Sequence, residues 1–141
     1  MNLQINRKLK YFRRLVKMEE VQKQDKTQIG LSAEGNSHIK HLQQEFQLFD
    51  DEQDAYRFAI AYAIAKNLNE SDLPEVNDRK NKFGTGSIDK DGKIRDLIRI
   101  YMPDHSLRPY AMAEILAEIG LFHLHAALDE GKTLNEILEN C

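Results

Sequence analysis

The sequence predicts a mainly α fold, a single compact helical domain of five or six helices with at most one or two short strands. Three observations predict it. Apolar residues recur at three- and four-residue spacing along most of the 141-residue chain, helix caps and stops bracket those segments, and period-two alternation appears only briefly. Apolar content of 41% and charged content of 30% mark a globular chain with a well-charged surface, not a disordered one.

The first element expected is a basic amphipathic N-terminal helix over residues 1–18. Ile5, Leu9, Phe12 and Val16 fall at i, i+4, i+7 and i+11, one apolar row. Arg7, Lys8, Lys10, Arg13, Arg14 and Lys17 fill the rest of its circumference, with no acid among them. The whole chain carries −3, so the remainder carries −9: a basic head on an acidic body.

The main helical domain is expected over 27–141. Residues 28–32 alternate Ile29 and Leu31 with Gln28, Gly30 and Ser32, a short strand weakened by its glycine. Over 36–49, Ile39, Leu42, Phe46 and Phe49 take helical spacing, with Asn36 or Ser37 as cap. Asp50 followed by Gln53 reads as a capping box for the next helix, whose acids Asp51 and Glu52 suit the positive end of its dipole. Residues 58–65, "FAIAYAIA", are apolar on every face, so this segment is the expected core or a subunit interface.

A long polar loop follows at about 69–93, with "SIDKDGK" expected to form a tight hairpin. Ile94, Leu97, Ile98 and Tyr101 make a short helix that Pro103 ends. Pro109 suits the first turn of the next helix and Gly131 its stop, with Met112, Ile115, Leu116, Ile119, Phe122 and Ala126 as the buried row. Thr133 and Glu136 form a capping box for a final helix through Leu134, Ile137 and Leu138. No tract reaches the roughly 18 to 20 apolar residues of a membrane span, and no apolar run follows the basic start, so the expected location is the cytoplasm.

Residue chemistry argues against most enzymes. The single cysteine, Cys141, is terminal and offers neither a disulfide nor a thiolate cluster. In "FGTGSIDKDGK", Gly84 and Gly86 lead to Ser87 and Ile88, not to the Gly-Lys-Ser/Thr of a phosphate loop. "DKDG" lacks the first aspartate and the closing glutamate of a calcium loop. His123 and His125 lie about 200° apart around a helix, on different faces. His38 and His41 share a face with Glu45 one turn on, but spacing supplies no third ligand, so they read as polar surface and no metal or cofactor is expected. Glu52, Asp54, Asp72, Glu75 and Asp78 read as caps and solubilising groups, and Tyr56, Arg57 and Tyr62 have no evident base beside them. No catalytic residue is expected, and the chain reads as a binding protein.

Arg7, Lys10, Arg14 and Lys17 form a row that can track one phosphate backbone, giving salt-sensitive contact with double-stranded DNA. Ile5, Leu9, Phe12 and Val16 dock the same helix on protein. A membrane is not expected, because Phe12 with a few aliphatics supplies too few bulky anchors. The strand–helix–helix order over 27–68 resembles the ribbon-helix-helix DNA-binding unit, which implies that paired strands would present Gln28 and Lys26 to the major groove. Asp50, Asp51, Glu52 and Asp54 depart from that pattern, since they crowd a helix start that the family presents to phosphate.

Residues 46–128 carry a second likeness in "DDEQDAYRFAIAYAIA", "LIRIYM" and "MAEILAEIGLFHL". This layout resembles the small accessory proteins of bacterial Dnd-type DNA-modification and similar antiphage defence systems. The resemblance implies a non-enzymatic accessory subunit of a defence or DNA-processing complex, binding a larger subunit such as an ABC/SMC-type ATPase or a nuclease. A second copy of the chain is the other partner that the apolar helix allows. The alternative is a direct DNA-binding regulator of the ribbon-helix-helix kind.

Overall fold

A computed structural model describes residues 24–72 and 75–139 together with Lys10. In chain order it contains β1 (Gln28–Leu31), α1 (Ala33–Gln44), α2 (Glu52–Ala65), a 3-10 turn (Glu70–Asp72), β2 (Lys80–Gly84) and α3 (Thr85–Ile88). α4 (Lys93–Tyr101), a second 3-10 turn (Pro103–His105), α5 (Pro109–Asp129) and α6 (Leu134–Glu139) follow. The fold is mainly α, as expected, with one two-stranded sheet among the described residues. Of the N-terminal helix, Lys10 is helical and exposed. Arg7, Arg14, Lys17, Ile5, Leu9, Phe12 and Val16 lie outside the described residues.

α5 is the hub. It packs against α1, α2, α4, α6 and β1, and twelve of its 21 residues are buried. The expected core helix proves to be its main partner: α2 buries Ala55, Tyr56, Ala59, Ile60, Tyr62 and Ala63 but exposes Ala61 and Ala65. Alanine is small enough to face either way, so an all-apolar run did not mean burial all round. Within α5 the expected row is buried at Met112, Leu116 and Ile119 and half-buried at Ile115 and Phe122, while Ala126 is exposed.

The two helices meet where α5 has no side chain. A Cβ at Gly120 would stand 2.1 Å from the Ala59 carbonyl oxygen, so glycine sets how closely the backbones approach. α5 is also long and apolar enough to cross a membrane, contrary to the sequence expectation. Its apolar surface is instead largely covered by the rest of the chain, with Glu114 and Glu118 buried along it.

The caps of α2, α5 and α6 fall at or next to their expected places, and that of α1 does not. α1 starts earlier than predicted, because the Ser32 hydroxyl accepts from the Gly35 amide at 3.0 Å. It also ends earlier, so Phe46 and Phe49 pack on the core from beyond the helix. α2 is capped by Asp51, which accepts from the Asp54 amide at 2.8 Å, one residue past the predicted box. Pro109 opens α5, and the Asp25 carboxylate accepts from the Tyr110 and Ala111 amides at 2.8 and 3.0 Å. The Thr133–Glu136 box forms at the start of α6, with the Glu136 amide donating to the Thr133 hydroxyl at 3.2 Å.

The region predicted as a polar loop holds the first 3-10 turn, β2 and α3. β2 runs antiparallel to β1, pairing Ile29 with Phe83 and Leu31 with Lys80, and the register shifts between Ile29 and Gly30. The glycine that seemed to weaken the strand is required there: a Cβ at Gly30 would lie 1.6 Å from the Lys80 carbonyl oxygen. "SIDKDGK" is not a hairpin. The Asp89 carboxylate accepts from the Ile94 and Arg95 amides at 2.9 and 3.1 Å, folding the segment back as a start for α4.

Candidate functional site

Among the described residues, two polar constellations and a cleft beside α5 offer chemistry or recognition. The first lies on α5. Glu114 and Glu118 are four residues apart, on one helix face, and both point into the protein at 2% and 3% exposure. Glu114 accepts from the Gly30 amide at 2.9 Å and from Lys26 Nζ at 2.5 Å. Glu118 accepts from the Ser32 amide and from the Ser32 hydroxyl, the latter at 3.1 Å. The Arg79 guanidinium lies between them, 3.6 Å from Glu114 and 3.5 Å from Glu118.

Tyr56 completes this cluster by donating to the Gly30 carbonyl at 3.1 Å. Burial, and then the charge of Glu114, hold its hydroxyl well above the ordinary tyrosine range. Every carboxylate here is occupied by donors from the chain itself. The cluster is a clamp that fastens β1 to α5, not an open site.

The second constellation joins α1 to the C-terminal half of α5. His41 Nδ1 faces His125 Nε2 at 2.5 Å, and the two ring centroids are 4.6 Å apart. His38, one turn before His41, packs its ring 4.2 Å from that of His125 and edge-on to Phe122 at 5.3 Å. Each imidazole has a carboxylate four residues away on its own helix: Glu34 at 3.7 Å from His38, Glu45 against His41 Nε2, and Asp129 at 3.5 Å from His125 Nδ1. Burial, and then the neighbouring His125, lower the affinity of His38 for its proton. Its Nε2 has no hydrogen-bond partner.

The sequence placed His38 and His41 on one face with Glu45 one turn on; both rings pack against His125, and Glu45 lies against His41 alone. The missing member was His125, which comes from a segment 84 residues further on than His41. Glu114, Glu118 and Arg79 were not anticipated. The signal for the first two was "EILAE", paired acids inside an apolar run, since buried acids demand partners.

Other sequence candidates have structural work. Glu52 pairs with Lys82 at 2.6 Å, and Asp54 with Arg57 at 2.9 Å. Arg57 also donates to the Ile88 carbonyl at 2.8 Å. Asp78 accepts from the Ala33 amide at 3.2 Å. The glycine-rich stretch folds as the end of β2 and the four-residue α3.

The cleft lies where the second 3-10 turn meets α5. It encloses about 350 Å³ and is lined partly by Leu107, Arg108, Met112 and Ile115. Ile100 and Tyr101, at the end of α4, are 72% and 67% exposed, and Leu107 is 46% exposed. Arg99, Asp104 and Arg108 are exposed charges along the same segment. The chain matches no family model, no curated protein and no solved structure.

Proposed function

We propose that this chain is a non-enzymatic accessory subunit that docks on a larger protein partner. The observation that carries this reading is the exposure of Ile100, Tyr101 and Leu107 along the segment that leads into the cleft, where Leu107, Met112 and Ile115 stand beside Asp104, His105 and Arg108. Neighbouring large apolar side chains among charged ones are the usual composition of a docking patch. Covering them recovers about 25 cal/mol per Å² of apolar surface, before the costs of association.

The resemblance over residues 46–128 supports a finer reading, in which the partner is an ABC/SMC-type ATPase or a nuclease of a bacterial defence or DNA-processing complex and supplies the chemistry. Contact with double-stranded DNA through Arg7, Lys10, Arg14 and Lys17 belongs to the same reading. The ribbon-helix-helix alternative has less support. β1 pairs with β2 inside the chain, its Gly30 is engaged by Glu114 and Tyr56, and Ser32 just after it is engaged by Glu118.

The test is co-purification of the full chain with the products of neighbouring genes. An Ile100→Ala/Tyr101→Ala variant should keep its helical spectrum and lose capture of the partner by about tenfold or more, as hot-spot truncations do. A wild-type chain that recruits none of those products, or a variant that binds equally well, would reject the proposal. Duplex affinity measured across salt reads the DNA contact separately, since neutralising four phosphate contacts should flatten the salt slope by about 3 to 4.

A further inference from the structure

His41 Nδ1 and His125 Nε2 face each other at 2.5 Å, with Glu45 and Asp129 beside the two rings. Glu45 lies against His41 Nε2, which favours the proton on that nitrogen and leaves Nδ1 as a lone pair. Asp129 lies 3.5 Å from His125 Nδ1, so its carboxylate stands beside the same pair of rings. The His41 lone pair points at His125 Nε2 across 2.5 Å, an arrangement that a shared proton or a shared cation joins. The nearby Asp129 carboxylate adds an anionic ligand suited to the second.

We propose that His41, His125 and Asp129 bind a divalent late transition-metal ion, with Zn²⁺ the first candidate. One ligand atom from each residue lies within 4.8 Å of the others, which is within reach of a common centre. Two imidazoles and a carboxylate suit zinc and its neighbours in the first row, and hard cations such as Mg²⁺ prefer all-oxygen sites. A metal–nitrogen distance of about 2.0–2.1 Å places tetrahedral ligands about 3.3 Å apart, so the two rings need to part by less than an ångström. Glu45 on the far nitrogen of His41 is the outer carboxylate that orients a zinc-binding imidazole. His38 and Phe122 wall the site on one side, and solvent completes the coordination.

The site links α1 to the last turns of α5, so its ion would brace the same helix that the Glu114–Glu118 clamp holds further up. Nothing in this inference depends on the docking patch. His105 precedes α5 and is separated from His125 by roughly the length of that helix, about 25–30 Å, which makes it a control histidine.

The experiment is titration of the chelator-stripped full chain with Zn²⁺ by calorimetry, with elemental analysis of the product. One equivalent per chain is expected, together with a rise in Tm that a chelator reverses. His41→Gln and His125→Gln should each weaken binding by about 100-fold or more, Glu45→Gln by about 10- to 100-fold, and His105→Gln not at all. Co²⁺ added to the unaltered chain reads the ligands without any substitution, and its visible absorption should indicate nitrogen and oxygen donors in a four-coordinate field. Absence of stoichiometric binding, zinc binding that survives both His41→Gln and His125→Gln, or a cobalt spectrum of a hexa-aquo ion would each overturn the proposal. The two rings would then share only a proton.

Discussion

Glu118 gathers the Ser32 amide, the Ser32 hydroxyl and the Arg79 guanidinium at one buried carboxylate. Removing it leaves the Ser32 amide without its acceptor inside the protein and Arg79 with Glu114 alone. Glu118→Ala should therefore cost about 3–5 kcal/mol, read from urea unfolding at unchanged m-value. A loss below about 1 kcal/mol would mean that water replaces the carboxylate at little cost. Tyr110 makes a second residue-scale prediction. Its hydroxyl donates to Asp89 at 2.8 Å, and burial first, that hydrogen bond second, push its pKa to about 12. The folded chain then keeps a proton that the unfolded chain releases near pH 10. The resulting stability is whole below about pH 10 and is lost as pH rises toward 12. Tyr56 shifts in the same direction, so Tyr110→Phe should shrink, without abolishing, the loss of stability between about pH 9 and about pH 11. An unchanged alkaline slope would count against it.

Between elements, the decisive contact is the crossing of α2 and α5 at Ala59 and Gly120. Helix propensity alone makes Gly120→Ala stabilising by up to about 1 kcal/mol. Packing gives the opposite sign, because the new methyl meets backbone, which can yield only if the helices separate. The expected result is a destabilisation of about 1–3 kcal/mol with a lower Tm, and a neutral or stabilised variant would show that the crossing is loose. Caps and stops were the most legible part of the elements, since Asp51, Pro109, Gly131 and the Thr133–Glu136 pair act through neighbours in sequence. β2 was invisible for the opposite reason. "KNKFG" shows little apolar alternation, and it becomes a strand by pairing with β1 some 50 residues earlier.

For the molecule as a whole, the amino-acid sequence by itself determined the mainly α class, the approximate spans of α1, α2, α4, α5 and α6, and the face shared by His38, His41 and Glu45. These depend on helical periodicity and local hydrogen bonding, which a few consecutive residues specify. Only the tertiary structure decided that α5 is the hub, that its two acids fasten β1, and that His125 meets His41. Such contacts follow from which helix lies against which, and at what rotation. That outcome is a balance of burial over the whole chain, and no single stretch of residues encodes it.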